Sequence, residues 1–406
     1  MNFTAKSLDE SVDTTYSAES SVVLRYRHVL QHHETEEQNE RLKELLKRSS
    51  LREGARILPL ITYRGVEIHV LDETSLMQTH SIKSIDGCLA MAECALRGWK
   101  RVVFETGGNT GTAFTAYGHA CGTETFLFLP EENVSLLCGK LFEAETAHLI
   151  TVANRRDVKR AAAEFHRRTG IPHIPRLEWR YHSSRFRGMF ILEYLLSHER
   201  VRWFSQTISA AFGPIGIYQV LDAFKQHLGE PPRFLGVQQA GNCPMFRAWK
   251  GNGLAPGDPP QADGPGLLSR IMYDSSPQTY GTFDELRKLL SISCGDLTLV
   301  DRRLYRETLE RNLEGKLLLD HLEDKGIHIS TKNGQVVDPT GIIALVGVIK
   351  EIDRGTIQRG SRVLCSLSSG VSDADGGAKP EFRIFSEVET GVAKFLESLV
   401  KGTIVR

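Results

Sequence analysis

From residue 100 onward, short apolar runs alternate with glycine-bearing turns and helix-patterned segments. This alternation limits the fold more than any other feature of the chain. Arg101-Val102-Val103-Phe104 reads as a buried strand, Thr106-Gly107-Gly108-Asn109-Thr110-Gly111 as a glycine-rich turn, and Phe114, Tyr117 and Cys121 as one side of a helix. The pattern goes on to predict a strand over 125–129 stopped by Pro130, a helix near 138–146, a strand over 148–152 and a helix over 155–168. It recurs later. Residues 203–212 are strand-like, Gly213-Pro214-Ile215-Gly216 breaks the run, and Ile217, Val220, Leu221 and Phe224 repeat at helical spacing. A strand is predicted at 233–237, and Asp338-Pro339 opens a helix through Ile342, Leu345, Val346 and Ile349, with Asp as cap and Pro at the first position. Val363 to Leu367 is the strand that follows. Strand and helix in alternation predict βαβ units and mostly parallel sheets. The expected fold is α/β with two lobes: residues 1–90 plus 186–406 as the large domain and 91–185 as a small one.

The N-terminal part reads differently. Residues 1–20 are rich in Ser, Thr, Asp and Glu and are expected to be mobile. Residues 36–48 predict a charged helix that packs through Leu42, Leu45 and Leu46.

Charge and cysteine usage remove several classes of function. Fifty Lys and Arg balance fifty Asp and Glu, so no net field draws the chain to nucleic acid or an anionic membrane. No apolar run reaches the length of a bilayer span, and the first residues lack the apolar core of a signal peptide. A cytoplasmic protein is expected. The seven cysteines (Cys88, Cys94, Cys121, Cys138, Cys243, Cys294 and Cys365) include no CxxC pair and read as buried reduced thiols. His32-His33 has no helical i,i+4 partner and reads as a solvated helix face, so no metal is expected. Residues 251–266 form a Gly/Pro-rich stretch that reads as disordered or a plain surface loop, with a functional lid as the alternative.

Each glycine turn sits where a strand ends and a helix begins, and a helix start suits a bound anion. At Gly213-Pro214-Ile215-Gly216-Ile217-Tyr218 small residues let the backbone come close to a phosphate, although neither GxGxxG nor GxxxxGK[ST] is present. The turn at 106–111 adds two hydroxyls and an amide, which suit a carboxylate and a ring oxygen. On its own, either turn also reads as an ordinary βα connection. Lys83 lies in Thr79-His80-Ser81-Ile82-Lys83-Ser84, just before a helix expected over 87–97. Most lysines are solvated; one forms a Schiff base only where its surroundings favour it.

Taken in order, a lysine, an Asn-bearing glycine turn and a second glycine turn at a helix start resemble the fold-type II pyridoxal 5′-phosphate (PLP) enzymes. These are the tryptophan synthase β-like family, and the similar branch is that of threonine synthase and cysteate synthase. The family's lysine stretch resembles Thr79-His80-Ser81-Ile82-Lys83 after Leu71-Asp72-Glu73, its SGNTG loop resembles Gly107-Gly108-Asn109-Thr110-Gly111, and its phosphate loop resembles Gly213-Pro214-Ile215-Gly216. Pro244 to Trp249 and Ser366-Leu367-Ser368-Ser369-Gly370 are similar too, and the resemblance covers about residues 55–375.

The resemblance implies a PLP cofactor joined to Lys83, which also moves the substrate's α-proton. It implies that Asn109 bonds the ring oxygen, that Gly213, Pro214, Ile215, Gly216, Ile217 and Tyr218 hold the phosphate, and that Ser368, or else Ser369, faces the pyridine nitrogen. Arg187 and Arg185, in the stretch between the lobes, are candidates for an anionic leaving group or nucleophile, with surface or salt-bridged arginines as the alternative reading. By the resemblance, Thr106, Gly107, Gly108, Asn109 and Thr110 would hold the substrate carboxylate. It further implies a homodimer, an active site in the cleft between the lobes, and a mobile small lobe. A hydroxyl at the pyridine nitrogen makes a weaker electron sink, which suits elimination and replacement. The chain departs from the family at Ile57-Leu58-Pro59-Leu60, His80, Ile82-Lys83-Ser84-Ile85 and Gly107, positions around the substrate. The expected activity is therefore β-elimination or β-replacement on an O-phospho- or O-acyl-serine type of amino acid, making an unusual amino acid. γ-Replacement, ammonia loss from threonine or serine, and an inactive binding module stay open.

Overall fold

The computed structural model describes residues 7–29, 35–50, 55–175, 177–198, 201–251, 267–273, 282–329, 331–332, 335–336, 339–370 and 377–401. In chain order the strands are β1 (Arg56–Tyr63), β2 (Val66–Asp72), β3 (Arg101–Glu105), β4 (Glu124–Pro130), β5 (Ala147–Val152), β6 (Val201–Thr207), β7 (Arg233–Gln239), β8 (Asp296–Val300), β9 (Thr331–Lys332), β10 (Gln335–Val336), β11 (Arg362–Leu367) and β12 (Phe382–Ile384).

The chain forms two compact units. The larger comprises Met1–Gln31, Arg52–Ile82 and Arg180–Val371. It holds a six-stranded sheet in the order β1-β2-β11-β6-β7-β8, parallel except for the β1–β2 pair. β6 and β7 are buried at every position but one each. That is why they read as near-continuous apolar runs: a parallel strand is covered on both faces.

The smaller unit comprises His32–Leu51, Lys83–Trp179 and Ser372–Arg406. Its four-stranded sheet, β12-β5-β4-β3, is parallel throughout. Phe126, Phe128 and Ile150 meet Ala161, Ala162 and Phe165 of the Val158–Thr169 helix, and Val392 and Phe395 of the Val388–Lys401 helix. The Glu36–Ser50 helix buries Leu42 and Leu46, with Leu45 half-buried. Its apolar side is the packed side, as its spacing requires.

Several boundaries differ from the sequence expectation. The smaller unit runs from Lys83 to Trp179, not 91–185, and gains residues 32–51 and 372–406. β12 is only three residues long, too short to announce itself. The helix expected near 138–146 is instead 3-10 turns at Glu131–Leu136 and Gly139–Phe142, and β6 ends at Thr207 rather than 212. Residues 7–20, expected to be mobile, include helical turns at Leu8–Ser11 and from Ala18, each capped by a serine. Residues 1–6, His32-His33, 252–266 and Asp338 lie outside the described residues. Cys88, Cys94, Cys243 and Cys365 are buried thiols, whereas Cys121 and Cys138 are half-buried and Cys294 is exposed.

One buried contact ties the C-terminal segment to the smaller sheet. His148 of β5 bonds Glu381 through Nδ1 at 2.6 Å and Glu124 of β4 through Nε2 at 2.9 Å, and stacks on Phe126 at 4.4 Å. A neutral imidazole has one N–H; serving two carboxylates takes the imidazolium. Burial lowers the pKa of His148, but Glu381 and Glu124 outweigh it and leave it above the ordinary 6.5. A raised folded-state pKa gives stability that is full below the unfolded value and fades as pH rises through the folded one. The melting temperature should therefore fall from about pH 6.5 upward through this contact. His148→Gln should lower it at acid pH and flatten the slope; a variant profile parallel to wild type refutes the assignment.

Candidate active site

In the smaller unit, Lys83 is the first residue of the Lys83–Leu96 helix rather than lying ahead of it. Ile85, Cys88, Leu89, Met91 and Ala92 bury the inner side of that helix, while Lys83 is half-buried. Its Nζ lies 2.7 Å from Asp86 Oδ2, one turn along. The Asn109–Cys121 helix begins directly after the turn 106–108. A Cβ at Gly87 would lie 2.8 Å from the Ala113 carbonyl oxygen, and one at Gly118 would lie 3.7 Å from Met91 Sδ. Contacts that advance together, 87 with 113 and 91 with 118, mean that the two helices run side by side in the same direction. Each first contact falls four residues in, so Lys83 and Asn109 stand at the same end of the helix pair.

The turn between β3 and that helix is held from within. The Gly108 N–H donates to Thr106 Oγ1 at 3.1 Å. Asn133, fully buried, donates through Nδ2 to the Gly107 carbonyl at 2.7 Å and accepts at Oδ1 from Arg155 Nη2 at 3.2 Å. Thr106, Asn109 and Thr110 are half-buried, and so remain reachable from solvent. Asn133 and Asp86 touch the candidate residues Gly107 and Lys83 and were not singled out from the sequence. Neither belongs to a motif, and only burial and distance mark them.

The larger unit carries the second set. The segment leading to Lys83 is laced to the loop after β11: Ile82 N–H donates to the Ser368 carbonyl at 3.1 Å, and Gly370 N–H to the His80 carbonyl at 2.9 Å. Ser81 and Ser369 form a β-bridge. Ser368 and Ser369 are buried, and Ser368 Oγ donates to the Thr340 carbonyl at 3.3 Å.

After β6 the chain turns through Ala211, in the left-handed region at φ 62°, into the Phe212–Ala223 helix. The glycines at 213 and 216 lie inside that helix and do not break the chain. A Cβ at Gly213 would come within 2.3 Å of Gln206 Nε2, so a side chain there would have to displace the Gln206 amide. Amides of a first helical turn have no intrahelical carbonyl and suit an anion. Ile217 and Tyr218 lie beyond that turn, where the helix supplies its own acceptors. Tyr218 Oη donates to the Pro232 carbonyl at 2.7 Å, and burial holds its pKa well above the ordinary value. The anion-binding part of 213–218 therefore narrows to its beginning.

Arg187 is salt-bridged inside the larger unit, the alternative reading of its sequence position. It is buried, with Nε 2.5 Å from Glu73 Oε1, Nη2 2.6 Å from Glu73 Oε2 and 3.0 Å from Ser366 Oγ, and Nη1 3.1 Å from Gln206 Oε1. These bonds commit it to the interior. Arg185 donates through Nε to Gln219 at 3.0 Å, and burial lowers its pKa.

The donor set suits the cofactor that the resemblance implies. Lys83 would offer a primary amine, the helix start at Gly213 first-turn backbone amides for a phosphate, Asn109 an amide, and Ser368 a hydroxyl for a ring nitrogen. Among the described residues no group of three His, Cys, Asp or Glu is placed to hold a metal, and no helix is long and apolar enough to cross a membrane.

Comparison with known proteins agrees. A cysteate synthase of Methanosarcina barkeri is 23% identical over 321 residues, 76% of this chain and 72% of that protein. A threonine synthase of Mycobacterium leprae is 24% identical over 335 residues, 78% of this chain and 80% of that protein. The crystal structure of an O-ureido-L-serine synthase shares the fold, with a TM-score of 0.59 at 14% identity over 80% of this chain and 91% of that one. The family model described as pyridoxal-phosphate dependent enzyme matches residues 53–290, more than half of the 406, and the chain belongs to that family.

Proposed function

We propose that the chain catalyses β-elimination or β-replacement on an amino acid carrying an O-phospho or O-acyl leaving group, of the activated-serine type. PLP, when bound, supplies an electron sink for charge that develops at the substrate's α-carbon. Lys83 holds the cofactor and then moves the α-proton through Nζ. Thr106, Gly107, Gly108, Asn109 and Thr110 bind the substrate carboxylate through amides and hydroxyls, and Asn109 also orients the ring oxygen. The helix start at Gly213, with Pro214, Ile215 and Gly216 around it, holds the phosphate. Ser368 faces the pyridine nitrogen.

The reaction type rests on reading Ser368, a buried hydroxyl just after β11, as the ring-nitrogen partner, where a carboxylate would keep that nitrogen protonated. A neutral partner leaves a weaker sink and suits loss of a β-substituent. The names of the relatives, cysteate synthase and O-ureido-L-serine synthase, accord with chemistry at the β-carbon. The reading includes a cytoplasmic homodimer, with Lys83 and Asn109 of the smaller unit and Gly213 and Ser368 of the larger one as the cofactor-holding residues.

PLP-loaded protein should be yellow. Incubation with O-phosphoserine or O-acetylserine should shift its absorption and release phosphate or acetate, whereas O-phosphohomoserine and threonine should leave it unchanged. A response to O-phosphohomoserine alone transfers the assignment to γ-replacement. A response to threonine alone transfers it to ammonia loss.

A further inference from the structure

We propose that Asp86 is the resting partner of the Lys83 amine, a positioning residue that takes up Nζ whenever the amine is not joined to the cofactor. The inference rests on the assignment of Lys83 as the cofactor lysine. Lys83 and Asp86 are the first and fourth residues of one helix, so their side chains leave the same face one turn apart. The Nζ to Oδ2 distance is 2.7 Å, that of a charge-assisted hydrogen bond. The lysine side chain is 32% exposed and the aspartate 14%.

Helix stability does not explain this pair. A cation at a helix N-terminus opposes the macrodipole, and Lys placed ahead of Asp is the weaker order for such pairs on a helix. What the pair provides is a fixed place for an amine that must be joined to the cofactor at one stage and released at another. A carboxylate one turn away keeps the released nitrogen within reach. Because the pair is partly exposed, it is weak enough to separate. Before Nζ can bond to carbon, it has to leave Asp86.

The test uses the full-length protein stripped of PLP, as wild type, Asp86→Asn and Asp86→Glu. Each is treated with trace acetic anhydride, and modification of Lys83 is read by peptide mass spectrometry. Lys225 and Lys288, about two-thirds exposed, serve as internal standards. In Asp86→Asn, relative modification of Lys83 is expected to rise about five-fold, as loss of a partly exposed ion pair implies. Asp86→Glu, which keeps a carboxylate within reach, is expected to stay within about two-fold of wild type. In separate, unacetylated samples PLP is added, and the rate of yellow colour formation should follow the same order.

Equal modification of Lys83 in wild type and Asp86→Asn overturns the inference, and so does an equal rise in Asp86→Glu. Failure of PLP to attach at Lys83 in all three proteins defeats instead the assignment of Lys83. The two failures are distinguishable because the acetylation arm needs no cofactor.

Discussion

Lys83→Ala is expected to give a folded, colourless protein whose turnover falls by about 10³-fold or more, the scale of losing a positioned proton-transfer group. The larger effect is on the cofactor. Borohydride treatment of the PLP-loaded wild type should fix the cofactor's mass on the peptide containing Lys83, and the alanine variant should carry none. Stability should barely change. Lys83 is half-buried, its ion pair with Asp86 is partly exposed, and such pairs contribute about 1 kcal/mol or less. Alanine is also a good helix former at the position that Lys83 occupies. A variant that stays yellow, with PLP reduced onto another lysine, refutes the assignment of Lys83. A variant that fails to fold shows that the residue is structural.

The alternating strands were legible because each is a short run buried on both faces. β3, β4 and β5 appear where their apolar residues place them, within a residue or two at each end. Helix starts were less legible, and glycine is the reason. Asp86-Gly87 reads locally as a boundary, yet Gly87 sits inside a helix because Ala113 and Tyr117 of its neighbour leave no room for a side chain. Gly213 and Gly216 read as a break for the same reason. The first faces Gln206 and the second packs on Ser184, where a Cβ would lie 2.5 Å away. A glycine required by a distant contact is indistinguishable, in a local window, from one that ends an element.

The family resemblance was carried by Lys83, the 106–111 turn and the 213–216 turn, and each lies at a helix start. Of the two readings of Arg187, the salt-bridged one describes its contacts, and no local window could name the partner because Glu73 is 114 residues away along the chain. Asn133 and Asp86 were missed because a single polar residue carries no pattern. Residues 377–401 join the smaller unit through contacts remote in sequence, such as β12 on β5, that no local periodicity encodes.

Glu73→Gln is expected to destabilise the protein by about 3–5 kcal/mol, the cost of removing one partner from a buried ion pair. The Glu73 side chain is 0% exposed and that of Arg187 3%, so water does not compensate either charge. Glutamine keeps the shape but turns one acceptor into a donor. That donor would face Arg187 Nη2 and the Ser366 hydroxyl, both of which now donate to Glu73 Oε2. Divided by the unfolding entropy of a chain of this size, that loss should lower the melting temperature by roughly 5 °C.

The same change should loosen PLP. Arg187 holds Gln206, and Gln206 is the side chain against which Gly213 closes the helix start. The double variant Glu73→Leu/Arg187→Met removes both charges and should recover most of the lost stability, because apolar replacement of a buried pair is often neutral. A Glu73→Gln protein melting within about 2 °C of wild type would show that the pair contributes little. A double variant no better than the single would show that the cost lies in shape, not in the charge left on Arg187.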